Sequence, residues 1–298
     1  MGIRVTLDIF SGRPNPVVEL DGEDADNLVA EVDRIRPTAA RAEQAPFLGY
    51  RGLVMERLGR TRARPIRIGG QSILESGAGS PDERQVERMM LRSTGLFSRV
   101  EGGGRATKIA RRLLVEREAM DETRSPAKAK AREPAKRLTA ARAKTVRGCE
   151  RAPLFEPDWW NDQGIRQADN NCYNYATDHR TDTFAQPGRA SGPFVVTSTC
   201  ETIRNFAIRD NLIDAPDGNN ICPREGHLVA LVLWPGTIDF HWYRKGRDGL
   251  WTHKPGPTPV TNLDNSGQTI QDPRSADRGP YTSFCGFLIV RPGHVKLV

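Results

Sequence analysis

The stretch GHLVALVLWPGTIDFHWYRKGRDGLWTHKPG, Gly226 to Gly256, decides the fold. Its opening run, His227 to Leu233, is continuously apolar and has the length of a buried strand. Together with Trp234 it is the longest apolar stretch in the chain. It falls far short of the roughly 20 residues that a membrane helix needs. Pro235-Gly236 then turns the chain into a second strand around Ile238 to Arg244. The loop Lys245 to Gly249, with two glycines and an Asp-Gly step, signals a hairpin, and a third strand, Leu250 to His253, returns alongside. With a symmetric loop Arg244 faces Leu250, Tyr243 faces Trp251, Trp242 faces Thr252 and His241 faces His253. Directly opposed residues share one face with Cβ atoms roughly 4.5–5.5 Å apart. Two imidazoles therefore stand side by side, one able to act as a base and the other to orient it. A slip of one residue would send them to opposite faces.

Upstream, ADNNCYNYATD places Cys172 directly after Asp169, Asn170 and Asn171, all good helix N-cap residues. A thiol in the first turn of a helix feels the positive end of the macrodipole, which favours the thiolate. A nucleophilic cysteine needs a base within hydrogen-bond reach and a third polar group that holds the base in one tautomer. Cys172, His241 and His253 supply that set, with Asp264 or Asn265 as alternatives for the third place. For the oxyanion, the backbone N–H of Cys172 is a natural donor, joined by a side chain from Gln167, Asn170 or Asn171. Trp159 and Trp160 precede the cysteine and could wall a substrate cleft. The competing readings are a buried structural cysteine and two unrelated histidines on a half-exposed hairpin. A zinc site from His241, His253 and one of Cys172, Cys222 or Cys285 is a further reading, although no C-x-x-C or H-x-x-x-H spacing supports it. No metal and no cofactor is expected.

The order of these features carries a resemblance. A cysteine at a helix start, a Gly-initiated apolar strand, a histidine, and a second histidine twelve positions on resemble the NlpC-type branch of papain-like cysteine hydrolases. The resemblance covers about 130 residues. It makes Cys172 the nucleophile, His241 the base and His253 the orienting residue. Gln167, Asn171 and Trp160 become oxyanion and substrate-binding candidates. Glu225-Gly226-His227-Leu228-Val229 stands where that family usually reads Gly-Asp-Leu-Val. Asn-Cys-Tyr-Asn-Tyr departs from its usual Asp-Cys-Ser-Gly. The resemblance implies a thiol hydrolase, a peptidase or amidase working through an acyl-enzyme intermediate. A peptide or a peptidoglycan stem peptide is the implied substrate. The alternative is a non-catalytic papain-like protein that binds peptides, for example in peptide natural-product biosynthesis.

Composition sets the frame around this domain. At 298 residues the chain suits two domains better than one. The fold class expected is α+β. Residues 1–120 read as a small α+β domain, 121–150 as a basic linker, and 151–298 as the papain-like domain with a central antiparallel sheet. In the first domain, Ile3, Val5 and Leu7 alternate with polar residues as a strand, and FSGRPNP, Phe10 to Pro16, forms a turn cluster. Helices are expected over 22–35 and 81–91. The FSGRPNP turn after an N-terminal strand looks like a recurrent, uncharacterised bacterial domain, which implies no activity. It leaves residues 1–120 as a surface for a partner protein.

The formal net charge of +7 is concentrated between Arg124 and Arg147, where nine basic residues meet one acid, Glu133. A segment, not a surface, is basic, and no aromatic residue interleaves with it. This pattern argues against a nucleic-acid partner. The five cysteines (Cys149, Cys172, Cys200, Cys222, Cys285) form no close pair, and the N-terminus has no h-region. Reduced thiols and a cytoplasmic location are expected, with export by a non-Sec route left open. One intramolecular disulfide also stays open.

Overall fold

The structure, a computed structural model, describes residues 2–35, 47–59, 65–69, 81–92, 97, 103–123, 149–196, 199–215 and 219–298. The chain divides into two compact units. The first comprises Met1–Ile9, Asn15–Ala45 and Tyr50–Glu133, and the second Phe10–Pro14, Pro46–Gly49 and Pro134–Val298. Both are mixtures of helix and antiparallel sheet. The bulk of the expected basic linker, residues 124–148, lies outside the described residues.

The first unit is built on a four-stranded sheet of order β2-β1-β3-β4: β1 Gly2–Asp8, β2 Val17–Leu20, β3 Gly52–Leu58 and β4 Ile66–Ile68. In β1, Ile3, Val5 and Leu7 are fully buried while Arg4 and Thr6 are not, the period-2 pattern of a sheet with one core face. The helices are α1 Gly22–Ile35, α2 Pro81–Arg92 and α3 Gly103–Thr123. Ala25, Leu28 and Val32 of α1 recur at helical spacing and are buried. Glu23 and Asp24 in its first turn and Arg34 in its last suit the helix dipole. The third helix had no counterpart in the reading of the sequence.

At the end of β1, Asp8 is buried between two arginines. Arg51 Nη2 and Nε donate to Oδ1 at 2.7 and 3.0 Å, and Arg67 Nη1 donates to Oδ2 at 2.8 Å. Burial alone would raise the Asp8 pKa, but the two guanidinium groups hold it below the ordinary carboxylate range.

The second unit carries a five-stranded antiparallel sheet of order β5-β9-β6-β7-β8: β5 Ile213–Ala215, β6 His227–Leu233, β7 Phe240–Lys245, β8 Trp251–His253 and β9 Ser283–Val290. The apolar run that decides the fold is the central strand, β6, and every one of its residues is buried. Gly226 leads into it at φ +72, where an added Cβ would lie 1.9 Å from the Val290 carbonyl oxygen. Only glycine fits there. Short helices α4 Pro157–Trp160, α5 Ile165–Asp169 and α6 Cys172–Ala176 precede the longer α7 Cys200–Arg209. Cys172, Tyr173, Ile203, Val229, Leu231, Trp242, Leu288 and Val290 share one apolar core.

Two disulfides brace this unit, Cys149–Cys222 and Cys200–Cys285, and Cys172 is the free cysteine. They correct the expectation of reduced thiols in a cytoplasm-like compartment. The paired cysteines are 73 and 85 residues apart, so the fold and not local spacing brings them together. In the chain-entropy account, loops of that size contribute about 4 kcal/mol each.

Candidate functional site

The residues singled out from the sequence surround the start of α6 and its contact with β7. Asn171 is the N-cap of α6. Its Oδ1 accepts from the backbone N–H groups of Tyr173 (3.0 Å) and Asn174 (3.1 Å), while Asn174 Oδ1 accepts from Asn171 N at 3.0 Å. This reciprocal box satisfies donors that a helix start otherwise leaves orphaned. Asn171 Nδ2 donates to the carbonyls of Gly12 and Ala185, both at 2.8 Å. Both amide hydrogens of Asn171 are thus engaged by backbone, not aimed at a ligand. Asn170 is spent likewise, on Arg166 O, Asp182 and the N–H groups of Thr181 and Asp182. The polar preface of Cys172 is architecture.

Cys172 itself is fully buried, with the backbone N–H of Trp242 directed at its sulfur. Burial pushes the thiol well above its ordinary pKa. Nearby Asp239 adds to the rise, and the Trp242 N–H and Lys254 oppose it. The expectation that the helix start would favour thiolate is not met for a physical reason. The helix has only five residues, so its dipole is small, and desolvation of the charged form outweighs it.

His241 and His253 do meet. His241 Nε2 lies 2.9 Å from His253 Nδ1, and His253 Nε2 lies 3.0 Å from the carbonyl oxygen of Leu263. A carbonyl only accepts, so His253 carries its proton on Nε2. Its Nδ1 is then the acceptor, and His241 donates from Nε2. The His253 ring is stacked on Tyr243, centroids 4.9 Å apart. Burial lowers its pKa to about 4, against the raising effects of the Leu263 bond and Asp264. The register differs from the symmetric-loop expectation by two residues: His253 opposes Tyr243, and Lys245 opposes Trp251. Because two is the side-chain period, the imidazoles keep the same face and meet diagonally.

Trp160 is buried, edge-on to Tyr175 at 5.3 Å, and is part of a small core with Phe155 and Val260 instead of walling a cleft. Gln167 sits on α5, and its backbone carbonyl accepts from Lys254 Nζ. Its side-chain Oε1 is buried without a hydrogen-bond partner among the described residues. The zinc alternative loses Cys222 and Cys285 to the disulfides. Among the described residues no group of three or more His, Cys, Asp or Glu side chains is arranged to hold a metal.

Reading the sequence alone missed the carboxylate at the centre of this region. Asp239 is fully buried and accepts three consecutive backbone N–H groups, from Ser11 (2.7 Å), Gly12 (3.0 Å) and Arg13 (2.8 Å), as well as the Tyr281 hydroxyl. Burial raises its pKa despite these donors. The FSGR turn is therefore folded around a buried carboxyl group, a concave arrangement of amides of the kind that binds carboxylates. A Cβ on Gly12 would lie 2.5 Å from the Phe240 ring, which excludes any other residue. The turn signal in FSGRPNP was visible in the sequence. Its target, 226 residues away at Asp239, was not.

Among curated proteins, the chain is similar to insoluble matrix shell protein 1 of Ruditapes philippinarum. The two are 49% identical over 140 residues, which make up 46% of this chain and 90% of that protein. No family model matches the chain. No solved structure matches it. The likeness to a shell matrix protein overturns the NlpC-type recognition and the bacterial origin read into FSGRPNP. It equally overturns the thiol hydrolase and its papain-like peptide-binding alternative. The order Cys, strand, His, His misled because it records spacing only. It carries no information on whether the thiol is exposed or ionised.

Proposed function

The chain belongs to the family of insoluble matrix shell protein 1, and from that premise we propose that it is a structural component of an insoluble matrix outside the cell. The observation that carries this reading is the 49% identity extending over 90% of the relative. Two disulfides support it, because such bonds persist in oxidising compartments and are rare in the cytosol. Interaction with other matrix components follows from the reading. No helix among the described residues is long and apolar enough to cross a membrane. Cys172, His241, His253, Asn171, Gln167 and Trp160 then serve cohesion. Cys172, His241, His253, Asn171 and Trp160 are buried, and their polar atoms cap α6 and tie β7 to β8 and the Leu263 loop.

The test is sequential extraction of the extracellular material of the source organism with salt, denaturant, and denaturant plus reductant, each fraction probed with antibody to this chain. The chain is expected to stay in the residue through salt and denaturant. Recovery from cytosol, with Cys149, Cys200, Cys222 and Cys285 all alkylatable without reduction, would sink the reading.

A further inference from the structure

Where β7 ends, Lys245 lies opposite Trp251 of β8. Its side chain is buried, only 5% exposed, and its ammonium group is directed at Asn220. Lys245 Nζ donates to Asn220 Oδ1 at 2.6 Å, and the Trp251 indole Nε1 donates to the same oxygen at 2.7 Å. On the other side of the carboxamide, Asn220 Nδ2 donates to Gln271 O at 3.1 Å and to Asp272 Oδ2 at 3.2 Å. Two obligate donors on one atom and two acceptors at the other leave the orientation of the amide unambiguous.

This is the geometry of an acyl transfer held at its starting point. A carbonyl bond is about 1.23 Å long, so Nζ lies no farther than about 3.8 Å from Asn220 Cγ. Reacting atoms in a near-attack arrangement lie about 3–3.5 Å apart. The oxygen that would take up charge already has the Trp251 N–H on it, and the nitrogen that would leave rests against a carboxylate. Burial lowers the pKa of Lys245, opposed by Asp272 and Asp248, which eases access to the neutral amine. Asp272 is kept in place by Arg274, whose Nε contacts both carboxylate oxygens at 3.0 Å. The Cys222–Cys149 disulfide anchors the Asn220 segment two residues on.

We propose that the folded chain joins Lys245 to Asn220 through an intramolecular isopeptide bond, with Asp272 as proton carrier and the Trp251 indole as donor to the carbonyl oxygen. The Lys245 ammonium passes a proton to Asp272, and the neutral amine forms a bond to Cγ. Asp272 then protonates Nδ2 as the Cγ–Nδ2 bond breaks, takes up the surplus proton of the attacking nitrogen, and passes it to the departing ammonia. In balance, a lysine ammonium and a carboxamide give a secondary amide and an ammonium ion, with no oxidant, reductant or cofactor. The inference stands apart from the matrix reading, although a covalent brace of this kind suits an insoluble protein.

The experiment is intact-mass and peptide-map mass spectrometry of the full-length protein. Folding is verified by near-ultraviolet circular dichroism before the disulfides are reduced and alkylated. The expected result is a mass lower by one ammonia than the sequence requires, and a peptide containing Asn220 linked to one containing Lys245. Lys245→Arg, which keeps the charge but is not acylated, should restore the full mass. Asp272→Asn, at a partly exposed position, should fold and show the link largely lost. Folded wild-type protein at full mass would overturn the proposal. So would ammonia loss that persists in Lys245→Arg, since that marks cyclisation at an asparagine.

Discussion

Asp8 and Asp239 are both fully buried carboxylates, one in each unit, and the protein treats them in opposite ways. Asp8 is matched by charge: Arg51 and Arg67 surround it, and its pKa falls. Asp239 is matched by dipoles: three backbone N–H groups and a phenol hold it, and its pKa rises. Desolvation pushes both upward. Formal positive charge reverses that push, whereas four neutral donors satisfy the oxygens without reversing it. The difference teaches that full hydrogen bonding and full charge compensation are separate conditions.

The largest break in this comparison should come from Arg51→Ala. It leaves Asp8 buried beside the partly exposed Arg67, and removing one partner of a buried ion pair costs about 3–5 kcal/mol. Urea unfolding should show that loss, and a change below 1 kcal/mol would mean that the pair behaves like a surface bridge. Next in size, Asp239→Asn should cost about 1–3 kcal/mol, because the carboxamide NH2 replaces an accepting oxygen and leaves a buried backbone N–H of the FSGR turn unsatisfied.

Acidity sharpens the contrast, because the two carboxylates have opposite signs. Asp8 has a folded pKa below its reference of 3.8, so its stabilisation is present above pH 3.8 and is lost as pH falls through the folded value. Asp239 has a folded pKa above 3.8, so its contribution is full below pH 3.8 and declines as pH rises through the folded value. The stability difference between wild type and Asp8→Asn should therefore grow with pH. That between wild type and Asp239→Asn should shrink. Two differences of the same sign would refute the distinction. The smallest effect belongs to Tyr281→Phe, which removes one neutral donor from Asp239. It should cost about 1 kcal/mol, read from the thermal midpoint.

Much of the fold was legible because it is written in local pattern. The alternation of Ile3, Val5 and Leu7, the apolar run of β6, and the amphipathic spacing of α1 each depend on neighbours within a few residues. The meeting of His241 with His253 also came through, though the register was displaced by two, since a shift of a full period leaves the face unchanged. The reading of Cys172 as a nucleophile rested on local pattern, which carries no information on burial. Whether a thiol is nucleophilic depends on what covers it, and Cys172 is covered by the sheet and its own core.

By itself the sequence determined the strand and helix periods and the asparagine cap of α6, because these follow from side-chain periodicity and hydrogen-bond donors a few positions apart. Only the tertiary structure decided which cysteines pair, that the FSGR turn closes on Asp239, and that Lys245, Asn220 and Asp272 converge. Each of these joins groups far apart along the chain. Their partners are selected by the burial of the whole core, where an unmatched polar group is too costly to leave.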